Sequence, residues 1–244
     1  MQLKQILLAL LFCPILACAQ DAQENLLKIR YLAFSATSHL LLYYNTRTGR
    51  GDPQHAEKYR ADLQRLQKHL HQVPSPALQT EGRRFQALID DLELKQDDQK
   101  ALYPIWINPI LESQAKLDEL AQQLSQTAEA ESAALQQLQG LTLNSQRLLL
   151  FYQTRVFGSL AVYVDAIKQG APNTLDQAIL QDFAALHSSL PEHAKELAKL
   201  ERTYNYIRHH LLQQEGEFVP ESVAYYMEQI GSKSQQIAER IRPS

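Results

Sequence analysis

The sequence predicts an all-α protein built as two tandem, antiparallel four-helix bundles related by internal duplication. Apolar residues recur at three- and four-residue spacing along most of the chain, and no stretch alternates in the manner of a strand. Helix formers dominate, and glycine is scarce at 8 of 244 residues. The octamer Leu40-Leu41-Leu42-Tyr43-Tyr44-Asn45-Thr46-Arg47 returns without a gap as Leu148-Leu149-Leu150-Phe151-Tyr152-Gln153-Thr154-Arg155.

Ordered punctuation follows the octamer in both copies. Gly51-Asp52-Pro53 answers to Gly170-Ala171-Pro172, Pro76 to Pro191, and Tyr103-Pro104 to Val219-Pro220. A matched octamer of leucines and tyrosines could be coincidence, but prolines in the same order argue for duplication. Each copy has four helical segments, and short connections favour antiparallel neighbours.

The N-terminus reads as a secretory signal over residues 1–19: Lys4, an apolar stretch from Ile6 to Ile15, then small residues at Ala17 and Ala19. That stretch is too short for a hydrocarbon core that needs ~20 residues. Cleavage after Ala19 gives a periplasmic protein. Ile15-Leu16-Ala17-Cys18 also fits a lipobox, which would anchor the chain through Cys18. Residues 20–125 then form the first bundle and 126–244 the second.

The first helix runs from about Ala22 to Arg47 and stops at Gly49 and Gly51. Pro53 opens the second, to about His71, and Ala77 begins the third, to about Lys95. Asn108-Pro109 reads as an N-cap with proline at the first helical position of the fourth. From Pro109 to Gln139 there is neither proline nor glycine, so the fourth and fifth could be one long helix ending near Lys168, interrupted at most by a pause near Ser125 to Thr127. The sixth covers about Asn173–Ser189, the seventh Glu192–Gln214 and the eighth Glu221–Ile241.

Composition removes several functional classes. Lys and Arg number 24 against 27 Asp and Glu, a formal net charge of −3, and no basic block marks a nucleic-acid partner. Cys13 and Cys18 both lie in the leader, so the mature chain has no thiol chemistry and no disulfide. No transmembrane span is expected after the leader. Zincin, phosphate-loop, nucleophile-elbow and di-iron signatures are missing, so no enzyme, metal or cofactor is expected.

The repeated segment holds the candidate ligand-binding residues. His39, Tyr43 and Arg47 share one face of a helix that is otherwise apolar nearly all round, and Arg147, Phe151 and Arg155 occupy the equivalent positions. A basic–aromatic–basic stripe on a buried helix needs a partner, because an unpaired buried charge costs several kcal/mol. That partner could be a small anion. The structural alternative has Arg47 capping its helix, while Arg147 and Arg155 pair with acids such as Glu131 or Asp165. Tyr204, Tyr206, Tyr225 and Tyr226 could line a pocket or serve as core.

Leu143-Asn144-Ser145-Gln146-Arg147-Leu148-Leu149 resembles the A-G-R-Q-R-M-L signature of the type IV pili chemotaxis transducer (PilJ) N-terminal domain, a relative of nitrate-sensing bundles. Phe183-Ala184-Ala185-Leu186 before Pro191, then Glu201-Arg202-Thr203-Tyr204, follow in that family's order. Asn144 replaces the signature glycine, and the first copy has His39 where the second has Arg147. The resemblance implies an exported, non-enzymatic sensory module that recognises a small ligand, an anion being one class of it, with Arg147 as the anion-binding arginine and a homodimer as one arrangement. The rival expectation is an envelope protein-interaction factor: a chaperone, an assembly accessory, or an immunity protein for an exported toxin.

Overall fold

A computed structural model describes residues 2–45, 49–126, 132–155, 172–213 and 217–242, and side chains from Ala22 onward. The protein is all-α. Among the described residues it has eight α-helices and one ladder of two very short strands.

Helix α1 spans Gln2–Tyr43. It leads into strands β1 (Tyr44–Asn45) and β2 (Gly49–Arg50), which pair antiparallel, Tyr44 opposite Arg50. Gly49 makes that reversal with φ of 86°, a left-handed conformation that costs a side-chain-bearing residue about 1 kcal/mol. Helix α2 (Pro53–Gln72) starts where Asp52 Oδ1 accepts from Gln54 N at 2.9 Å. Helix α3 (Pro76–Glu93) is capped by Ser75 Oγ, which accepts from Leu78 N at 3.4 Å. A short 3-10 turn at Asp97–Leu102 leads to α4 (Tyr103–Ser125).

The second half comprises α5 (Ala133–Thr154), α6 (Pro172–Ser189), α7 (Ala194–Leu212) and α8 (Pro220–Ile241). Among the described residues no helix is long and apolar enough to cross a membrane.

Three expectations need correcting. Helix α1 ends at Tyr43, short of the expected Arg47, because the chain turns there into strand β1. Helix α4 begins at Tyr103 with Pro104 in its first turn, and Pro109 lies inside it. The amide that Pro109 lacks would have bonded the carbonyl of Ile105, a residue 66% exposed where water can take its place. Nor are α4 and α5 one rod. Helix α4 ends at Ser125, and Ser132 caps α5 by accepting from Leu135 N at 3.3 Å. A continuous helix would hold residues 118 and 147 about 43 Å apart, yet their side chains meet at 2.7 Å.

Each helix of the first half packs on its successor, and α4 returns to α1. The second half repeats that order, with α8 returning to α5. All these neighbours run antiparallel, as cross-helix pairs such as His69–Asn25, Tyr59–Glu93 and His187–Glu201 fix. Helices α1 and α5 pack directly and run parallel, with Phe34 beside Arg147 and Ser38 beside Gln153. This contact explains why both are apolar nearly all round.

Two hydrophobic cores result. The first gathers Ile29, Leu40, Tyr59, Phe85, Ile89 and Ile107, and the second Leu149, Phe183, Leu197, Tyr204, Met227 and Ile230. The partition is not clean. Leu143 and Leu150 of α5 belong to the first core, and Leu42 of α1 to the second.

Candidate functional site

The five stripe residues that are described do not converge on one site. Arg47 lies outside the described residues. Tyr43 is half-buried, its ring edge-on to Tyr44 at 4.9 Å, and its carbonyl accepts from Gly51 N at 2.7 Å. Phe151 is half-buried beneath the guanidinium of Arg155.

Arg155 is spent on a helix end. Its Nη2 donates to the carbonyl of Leu211 at 2.5 Å and its Nη1 to that of Gln213 at 2.5 Å, while the guanidinium covers the Tyr152 ring at 5.2 Å. Cations are favoured there, because the last carbonyls of α7 lack intrahelical donors.

Arg147 joins a buried triad. Its Nη2 donates to Asp118 Oδ2 at 2.7 Å, and Arg30 Nε donates to Asp118 Oδ1 at 2.6 Å. Burial pushes the Asp118 carboxyl up, but the two arginines outweigh it and hold it below the usual carboxylate range. Arg147 Nη1 also reaches Asn144 Oδ1 at 3.3 Å. Three helices (α1, α4 and α5) are thus joined by one carboxylate. Glu131 and Asp165, the acids anticipated from sequence, lie outside the described residues. Sequence reasoning passed over Asp118 and Arg30. The available signal was an acid within the apolar run Ile110, Leu111, Leu117 and Ala121 of α4.

Each half repeats this use of a carboxylate between its second and third helices. Tyr59 and Arg60 on α2 both donate to Glu93 on α3, at 2.6 and 2.8 Å. In the second half Tyr204 and Arg208 on α7 donate to Asp176 on α6, at 2.8 and 2.5 Å. Tyr204 is therefore a core residue. Tyr206 and Tyr225 instead stand in solvent, 66% and 59% exposed, each edge-on to Tyr226.

His39 sits in a different kind of cluster, where α1, α2 and α8 meet. Its Nε2 lies 3.2 Å from Glu228 Oε1, and its Nδ1 3.1 Å from His55 Nδ1. Glu228 also faces Lys58 Nζ at 3.9 Å, and His55 Nε2 faces Glu221 Oε2 at 3.8 Å. Burial, with Lys58 adding to it, pushes His39 down to about 3, so its ring is neutral near pH 7. Burial raises Glu228 despite Lys58. Among the described residues no group of three or more His, Cys, Asp or Glu is placed to hold a metal ion.

Large apolar side chains collect at one end of the molecule. Leu94 is 83% exposed and Ile105 66%, with Leu102 beside them in the connection between α3 and α4. That connection lies at the C-terminal end of α1, because Arg50 Nη2 donates to Lys95 O at 2.9 Å and Tyr44 packs on Tyr103 at 5.3 Å. The α7–α8 connection lies likewise at the C-terminal end of α5, where Tyr152 Oη accepts from Val219 N at 2.8 Å. Since α1 and α5 are parallel, Leu94 and Ile105 share that end with Tyr206 and Tyr225.

No protein-family model matches the sequence, and comparison with curated proteins and with solved structures gives no match.

Proposed function

We propose that this chain is an exported, periplasmic, non-enzymatic helical interaction module. In this reading two antiparallel four-helix bundles, descended from one by duplication, present a docking end to a protein partner in the envelope. One observation carries it: Leu94, Ile105, Tyr206 and Tyr225 stand in water at the same end. The charged groups best suited to hold a small anion, Arg147 and Arg155, are already bonded within the chain. Exposed large apolar groups grouped at one end suit a protein surface.

The test is a photo-crosslinking residue placed at Ile105 or Tyr225 of the full chain in its own envelope, with Arg83 and Lys116 as comparators. A discrete adduct from the first two positions alone is expected. Adducts from all four, or from the comparators only, would overturn the docking end.

The alternative, recognition of a small anion, rests on Arg147, whose side chain keeps 27% of its exposure. An anion would there have to displace Asp118. A rise in melting temperature with nitrate, lost in Arg147→Ala, would favour it.

A further inference from the structure

Helix α8 belongs to the second core, yet it lies antiparallel along α1 and reaches the first half through charged side chains. Arg242 Nη1 pairs with Glu24 at 2.5 Å, and nearer its start Glu228 and Glu221 meet His39 and His55. Gly231 permits this approach, because a Cβ there would stand 3.3 Å from Tyr31 Cε2 and 3.2 Å from Gln146 Nε2.

The ring nitrogens impose a proton order. Two Nδ1 atoms 3.1 Å apart hold together only if one carries hydrogen and the other does not. His39 Nε2 faces a carboxylate, so it carries the hydrogen of that neutral ring and leaves Nδ1 as an acceptor. His55 Nδ1 must then be the donor. In a neutral His55 this leaves Nε2 bare, its lone pair turned toward Glu221. The spacing there, 3.8 Å, is the longest in the series.

We propose that His39 and His55 join Glu228 to Glu221 in one hydrogen-bonded chain, and that a single proton taken up at its exposed end fastens α8 to α2. The proton enters from solvent beside Glu221, whose side chain is 65% exposed, and settles on His55 Nε2. That nitrogen then donates to the Glu221 carboxylate, and no other bond in the chain changes. His55 becomes a cation between two carboxylates, and Lys58 beside Glu228 offsets the remaining negative charge.

The other groups facing the chain are Tyr31 on α1, with Asp52, Asp62 and Arg65 on or beside α2. Imidazole is the side chain whose ordinary range lies nearest neutrality. Burial holds His55 below the ordinary histidine range while Glu221 opposes it, so the proton is taken up at a lower pH than by a free histidine. His39 stays neutral throughout as the fixed link.

Nitrogen-15 spectra of the histidine rings in the full chain, from pH 8 to pH 5, test this. His39 should keep a neutral Nε2–H ring while His55 passes from Nδ1–H to the doubly protonated form. Amide exchange over residues 221–228 should slow about threefold with the same midpoint. In Glu221→Gln, an exposed position that leaves the fold intact, the His55 midpoint should fall by about one unit and the slowing should vanish. Proton uptake by His39 itself, or α8 exchange that ignores the His55 midpoint, would overturn the proposal.

Discussion

Arg147 Nη2 lies 2.7 Å from Asp118 Oδ2, although 29 residues and a reversal of the chain separate them. The pair makes an arginine of the repeated segment a fastening between α4 and α5, with Arg30 bringing α1 to the same carboxylate.

Removing members of this triad should have unequal effects. Asp118→Ala strands two guanidinium groups against the core and should cost about 3–5 kcal/mol. Arg30→Ala should come next, since Arg30 has only 10% of its side chain exposed, and Arg147→Ala last, at 27% exposure. Urea unfolding of the three variants gives the order. An Arg147→Ala loss as large as that of Asp118→Ala would contradict it.

Asp182 on α6 is raised to about 6 by burial, with a hydrogen bond from Asn144 opposing, and its Oδ2 has no partner. A carboxyl raised in the folded state binds its proton there first. It therefore adds stability as pH falls from about 6 toward 3.8, and costs stability above that window. Asp182→Asn should stabilise the protein near pH 7.5 by about 1 kcal/mol, discounted for partial exposure. The gain should fade by about pH 4. Buried His39, lowered to about 3, acts in the opposite sense: the unfolded chain takes its proton from about pH 6.5 downward and the folded chain does not. Acid unfolding should consequently be steeper in Asp182→Asn than in the parent chain. An equal advantage at both pH values would exclude a buried, raised carboxyl.

The two cores should melt together. The sole tryptophan, Trp106, packs against the first core, and most of α5 to α8 reports only through backbone ellipticity. Because leucines of α1 and α5 cross between cores, Trp106 fluorescence and far-ultraviolet ellipticity should give coincident thermal curves. Phe183→Ala in the second core, expected to cost about 3–5 kcal/mol, should move both curves equally. A shift in ellipticity that leaves Trp106 behind would separate the halves.

Much of the fold is legible from local signals. Pro53 locates the start of α2, α3 begins one residue before the expected Ala77, and the stripe Leu78, Phe85, Ile89 and Leu92 marks its buried face. Pro109 misleads because its missing bond falls at a solvent-exposed turn, where the helix loses little. The break between α4 and α5 carries no proline or glycine, only the serine cap at Ser132.

The candidate site was far less legible. That His39 and Arg147 would need partners follows from their place on apolar helices. Which partners they find depends on helices met elsewhere in the chain, Asp118 on α4 and Glu228 on α8. The acids themselves interrupt apolar runs, and that interruption is the local trace such pairings leave.

The leucines that cross between the cores also bear on how the chain can be divided. A cut near residue 126 would strip the first core of Leu143 and Leu150 and the second of Leu42. Each fragment would show water an apolar strip shaped to receive the other. Two such fragments, made as separate polypeptides, should recombine on mixing, whereas either alone would need polar replacements along α1 or α5 to stay dispersed.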